Sequence, residues 1–119
     1  MTRSRASAKA AGTRFERLIA DWLRDNVSEF IDRRAKTGNR DKGDLGGIRA
    51  HGQEVVAELK DHARFDLAGW INQADVERGN ADALAGVVIF KRRGTADPGD
   101  QYALMTVRDL AALLTGRRP

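Results

Sequence analysis

The run Gly86-Val87-Val88-Ile89-Phe90 constrains the architecture of this chain more than any other segment. A strand wet on one face alternates polar and apolar side chains. This one is continuously apolar, as expected of a strand covered on both faces. The segments before it supply the cover. Phe15, Leu18, Ile19, Trp22 and Leu23 follow the stripe of an amphipathic helix that starts at Thr13 and ends near Asn26. Residues 29 to 34 read as a first strand anchored by Phe30 and Ile31, and residues 37 to 43 as a polar turn-rich loop. A hairpin follows: one strand from Asp44 to about Ile48, a turn at His51-Gly52-Gln53, and another strand from Glu54 to Lys60. Asp66 is placed to cap a second helix with Leu67, Trp70, Ile71 and Ala74 on its buried stripe. After the apolar run come a loop at 92 to 100, an outer strand from Tyr102 to Met105, and a short helix capped by Thr106. The order α-β-β-β-α-β-β-α suits an α/β fold with a central mixed sheet flanked by helices.

One such domain accounts for 119 residues. Residues 1 to 11 hold Arg, Lys, Ala and Ser without a large apolar side chain. They are expected to form a basic flexible arm or a frayed helical extension before a single domain over 12–119. No cysteine is present, which excludes disulfides and thiolate metal sites. No apolar run reaches the length of a membrane span and the first residues do not read as a signal peptide, so cytoplasmic residence without membrane association is the expectation. The net charge is +4 and the sequence pI about 10.0, a balance that points to nucleic acid. Arg33, Arg34, Lys36, Arg40 and Lys42 gather just before Asp44, and we read them as a phosphate-binding segment. The basic residues at the two termini read as solvated tails.

The chemistry lies in Gly43-Asp44-Leu45 and Val55-Val56-Ala57-Glu58-Leu59-Lys60. Strand alternation puts Glu58 and Lys60 on one face and Val55, Ala57 and Leu59 on the other. Glu-x-Lys is common on solvated strands, but Val56 shares the face of Glu58 and Lys60, which argues that this face is covered. Two carboxylates and an ammonium on adjacent strands fit phosphodiester hydrolysis. Mg²⁺ prefers hard oxygen ligands and keeps several waters, so Asp44 and Glu58 suffice to hold it, with the Leu59 backbone carbonyl as a possible third ligand. Mn²⁺ is expected to substitute. Lys60 either orients and helps deprotonate the attacking water or stabilises the pentavalent charge; both roles stay open.

Other polar residues weigh less. Glu16 follows Thr13 by three and completes a capping box, so its spacing favours a structural role. Gln73 and Glu77 share one side of the second helix. Glu77 reads as part of an exposed polar face, and Gln73 and Thr37 as accessory contacts at most. His51 and His62 do not form a zinc site. Trp22 and Trp70 fit core stripes.

Together these elements resemble the PD-(D/E)xK nuclease superfamily, whose restriction-endonuclease-like core is α-β-β-β-α-β. Within it, the chain is similar to Holliday junction resolvases of the archaeal and phage type. Gly12-Thr13-Arg14-Phe15-Glu16-Arg17 matches their glycine-led F-E-R helix, Gly43-Asp44-Leu45 their D-[IL] motif and Glu58-Leu59-Lys60 their E-x-K. The resemblance spans residues 12 to about 91, and it departs from the family where Lys42-Gly43 replaces the usual proline before the Asp. It implies that Glu16 joins Asp44, Glu58 and Lys60 as a catalytic, metal-site residue, and that Arg17, Arg33 and Arg34 contact phosphate. It also implies a homodimer that nicks four-way DNA junctions in pairs, in a nucleoid-associated or phage-infected cytoplasm. Two alternatives remain: a nuclease of the same fold acting on duplex, nicked or flap DNA, and a non-catalytic basic DNA-binding protein.

Overall fold

The computed structural model describes residues 3–35 and 40–119. Lys36 and Thr37, expected near the site, lie outside the described residues. Three helices flank a mixed sheet of six strands. In chain order the elements are α1 (Arg5–Asn26), β1 (Asp32–Arg33), β2 (Leu45–Gly46), β3 (Arg49–Ala50), β4 (Gln53–Lys60), α2 (Leu67–Ala81), β5 (Ala85–Phe90), β6 (Tyr102–Leu104) and α3 (Val107–Thr115). The sheet runs β1-β2-β4-β5-β6, with β3 paired to the start of β4. β4 and β5 are parallel, from Val55 opposite Ala85 to Lys60 opposite Phe90, and the other pairings are antiparallel. A parallel pair needs a crossover connection, which α2 supplies.

Both faces of β5 are covered, as its apolar run requires. On one face Phe15 and Ile19 of α1 pack on Leu45, Val55, Ala57, Leu59 and Val87. On the other, Trp70 and Ala74 of α2 pack on Val88 and Phe90. Val56 is fully buried on the face it shares with Glu58 and Lys60. α3 docks on β5 through Asp109, a buried carboxylate that accepts hydrogen bonds from the Gly86 N–H, the Thr106 hydroxyl and Arg118. Burial pushes this carboxyl up, but the bonds from Arg118, Thr106 and Gly86 outweigh it and hold it below its ordinary value. Asp66 and Thr106 cap α2 and α3 as expected.

Five expectations are corrected. The strand expected from Asp44 to about Ile48 is two short ones, β2 and β3, interrupted at Gly47 with its positive φ, so four strands precede α2 and Asp44 lies just before β2. α1 begins at Arg5 with Ser4 as its N-cap, so residues 5 to 11 form its first turns and Thr13–Glu16 is helix interior, not a capping box. Phe30 is 77% exposed while Ile31 is buried, because neighbours in extended chain point to opposite sides and β1 spans only two residues. Leu67 is exposed at the first turn of α2, before the helix reaches the sheet. Trp22 is partly exposed, lying against the turn at Gly99 instead of the sheet.

The β3–β4 hairpin turns through His51 and Gly52, both at positive φ, as a two-residue hairpin requires to match strand twist. The register slips by one residue between Leu45–Ala57 and Arg49–Glu54. Gly47, at φ 83°, lies in the connection that absorbs the slip, and a Cβ there would lie 2.1 Å from the Phe30 carbonyl oxygen. Gly47→Ala is expected to destabilise the fold by at least ~1–3 kcal/mol from backbone strain, read as a lower urea midpoint with an unchanged slope. Among the described residues, no helix is long and apolar enough to cross a membrane.

Candidate active site

Gly43 starts the site. At φ 94° it has no room for a side chain, since a Cβ would come within 2.9 Å of the Ala57 carbonyl oxygen. That close approach lets the Asp44 N–H donate to the same carbonyl at 2.9 Å and brings the chain alongside β4. Leu45 pairs with Ala57, so Asp44 lies opposite Glu58. Leu45 and Ala57 point into the α1 core, and Asp44 and Glu58 point the other way, where both are buried. The Leu59 backbone N–H donates to Asp44 Oδ2 at 2.8 Å, tying the two strands together at the acids.

α2 closes this face with polar groups. Gln73 bridges the site: its Oε1 accepts from Lys60 Nζ at 2.7 Å, and its Nε2 donates to Glu58 Oε1 at 3.0 Å and to Glu77 Oε2 at 3.3 Å. Lys60 Nζ lies 3.5 Å from Glu58 Oε1. Glu77 is among the most buried side chains in the protein, which overturns its reading as an exposed residue. The signal was in the spacing. Trp70, Ala74 and Glu77 fall at i, i+4 and i+7, so the helix that buries the first two buries the third.

This packing concentrates negative charge. Burial, the contact with Glu77, and the charges of Asp44 and Glu77 push Glu58 up to about 10, with Lys60 opposing them only in part. Burial also pushes Glu77 up, to about 7, against the contact with Glu58 and aided by Asp41 and Asp44. Glu58 Oε2 and Glu77 Oε1 are buried and accept no hydrogen bond. Two ionised carboxylates cannot donate to each other, so they need a shared proton or a cation. The donor set is all hard oxygen, which fits Mg²⁺ or Mn²⁺. One carboxylate oxygen from each of Asp41, Glu58 and Glu77 lies within 4.8 Å of the other two. Among the described residues no other acids gather so closely, and Glu16 and Asp44 are not part of that group.

The site opens into a cleft of about 1080 Å³ whose lining includes Glu16, Asp44, Glu58, Leu59 and Lys60. Arg3, Lys9, Arg33, Arg34, Lys60 and Arg64 line it against four carboxylates, so it is net positive despite its acidic floor. Glu16 faces this cleft from α1 and accepts from Arg33 Nε at 3.2 Å. Arg34 pairs with Glu54, and Arg3 grips Asp61. Among the described residues, Lys9 and Arg64 make no ion pair, which leaves them available to a ligand. His62, at the rim, stacks its ring edge on Trp70. Burial and then Lys60 lower its pKa, which favours the neutral ring.

Of the predicted phosphate ligands, Arg33 and Arg34 line the cleft. Arg17 does not; it lies beside Asp21 on the outer face of α1. Arg40 and Lys42 are exposed outside the cleft lining. Arg3 and Lys9, read as a solvated tail, face the cleft because α1 extends back to Arg5. Lys9, Gly12 and Glu16 then share one helix face. Asp41 carried no signal in the sequence beyond its place in a polar loop.

Comparison with known proteins finds no matching family model, and no match among curated proteins or solved structures.

Proposed function

We propose that the protein is a metal-dependent endonuclease of the PD-(D/E)xK type that cuts branched DNA, with four-way junctions as its substrate. One observation carries the reading: Asp44, just before β2, opposes Glu58 on β4, with Lys60 beside Glu58, at the floor of a positively charged cleft. The mixed sheet, with parallel central strands β4 and β5 joined through α2, supports a restriction-endonuclease-like core in which the second strand is split into β2 and β3. The F-E-R helix, with Glu16 facing the cleft, supports the comparison with junction resolvases.

In this reading the residues divide the work. Lys9, Arg33, Arg34 and Arg64 hold the phosphate backbone along the cleft walls. Asp44 and Glu58 would hold Mg²⁺, which supplies Lewis acidity and an activated water. The Lys60 ammonium, placed by Gln73, lies beside Glu58 where it can orient the attacking water or offset charge on the phosphorane-like transition state. Gln73 is a positioning residue, because it links Lys60 to Glu58 with one amide. Glu16 and Arg33 form a pair at the cleft wall, where a phosphate can compete for the guanidinium. A homodimer would present two such clefts to the two equivalent strands of a junction.

The test is incubation with a synthetic four-way junction and Mg²⁺ beside a matched linear duplex. Paired symmetric nicks confined to the junction are expected. Equal cutting of both would replace the junction with duplex DNA as substrate. Salt-sensitive binding without cleavage in Mg²⁺ or Mn²⁺ would replace the enzyme with a DNA-binding protein.

A further inference from the structure

We propose that Asp41, Glu58 and Glu77 form a divalent-cation site of their own on the α2 side of β4, adjoining the Asp44–Glu58 pair. Its use in catalysis rests on the nuclease reading, but the binding does not. The geometry begins with Gln73. Its single amide nitrogen donates to Glu58 Oε1 and Glu77 Oε2, which fixes both carboxylates and commits one oxygen of each. The remaining oxygens, Glu58 Oε2 and Glu77 Oε1, are buried without a hydrogen bond, in residues only 4% and 1% exposed. Leaving two such acceptors unmatched is costly, so the arrangement calls for a shared proton or a cation, and the cation can take Asp41 as well. Lys60 does not supply it to these atoms: its ammonium is committed to Gln73 Oε1 and to the other oxygen of Glu58.

Asp41 completes the set from the loop. Its Oδ1 accepts from the Gly43 N–H at 2.9 Å, and its backbone carbonyl accepts from Asn80 Nδ2 at 2.8 Å. Asn80 lies one turn beyond Glu77, so α2 carries one ligand and also holds the loop that carries another. The three carboxylates span the 4.8 Å that a single ion can bridge. With oxygen ligands only and neither His nor Cys, the chemistry selects Mg²⁺, Mn²⁺ or Ca²⁺ over zinc. Asp41 is exposed, which lets water complete the coordination. Glu58 thereby belongs to two groups, one with Asp44 toward the cleft and one with Glu77 behind it.

The test titrates Mn²⁺ into wild type, Glu77→Gln, Asp41→Asn and Asp44→Asn, following heat and the loss of free-Mn²⁺ paramagnetic signal, with junction cleavage measured in parallel. Glu77→Gln and Asp41→Asn are each expected to weaken one Mn²⁺ site at least tenfold, and Asp44→Asn to leave that site in place. Wild-type stoichiometry and affinity in both Glu77→Gln and Asp41→Asn would overturn the proposal, as would absence of Mn²⁺ binding to wild type. If wild type cuts no DNA but loses a Mn²⁺ site in Glu77→Gln, the cation site stands and the nuclease reading falls. If Mg²⁺-dependent cleavage holds while Glu77→Gln and Asp41→Asn both bind and cut as wild type, the reverse is true.

Discussion

Asp44→Asn is expected to lower junction cleavage about 10²–10³-fold or more while leaving junction binding close to wild type. The substitution keeps the shape and the acceptor for the Leu59 N–H, and removes the charge opposite Glu58. Lys60→Ala should show the same split between cutting and binding, because its ammonium sits beside Glu58 on the floor while other cations line the walls. Single-turnover cleavage and equilibrium binding, at one salt concentration, read the two effects separately. Wild-type cleavage rates in both variants would remove Asp44 and Lys60 from the site.

Without divalent ions, the protein is expected to lose thermal stability as pH rises from 5 to 9. Glu58 and Glu77 both have pKa values raised by burial and by neighbouring carboxylates. A carboxyl raised in the folded state binds its proton more tightly there than in the unfolded chain. The stability it contributes is full below the ordinary value of 4.5, and is lost as pH climbs through about 7 for Glu77 and toward 10 for Glu58. A tenfold difference in proton affinity between folded and unfolded chain is worth about 1.4 kcal/mol. A domain of this size moves by several degrees per kcal/mol, so a fall on the order of 10 °C is expected. Glu77→Gln should flatten the profile, and saturating Mg²⁺ should restore the alkaline side. Asp109 acts in the opposite sense: its lowered value means that its contribution holds above 3.8 and is lost as pH falls further. Scanning calorimetry extended from about pH 2 to 9, in chelator and then in Mg²⁺, checks both limbs. A melting temperature in chelator that does not change from pH 5 to 9 would show that the acids are not stacked as described.

Much of the frame was legible because it follows from local rules. The uninterrupted apolar character of Val87 to Phe90 required cover on both faces, and α1 and α2 supply it. Period-two alternation separated Val55, Ala57 and Leu59 from Glu58 and Lys60, and Val56 marked the second face as buried. The caps at Asp66 and Thr106 needed only side chains that can accept from nearby backbone N–H groups. Local rules also misled. Thr13 and Glu16 have the spacing of a capping box, but Ser4 starts the helix, which frees Glu16 to face the cleft. Phe30 looked like an anchor because it is large and apolar, yet Ile31 fills that place.

The sequence by itself determined the mixed α/β character, the face on which Glu58 and Lys60 stand, and the basic character of the chain, but not the split of its second strand into β2 and β3. Those features depend on spacing along one element and on counts of charge. Only the tertiary structure decided that Asp44 stands opposite Glu58, that Asp41 and the buried Glu77 gather at Glu58, and that Lys9 and Arg64 line the same cleft. These placements depend on strand register and on how α1 and α2 pack across the sheet. Such contacts join residues far apart in the chain, and no local periodicity encodes them.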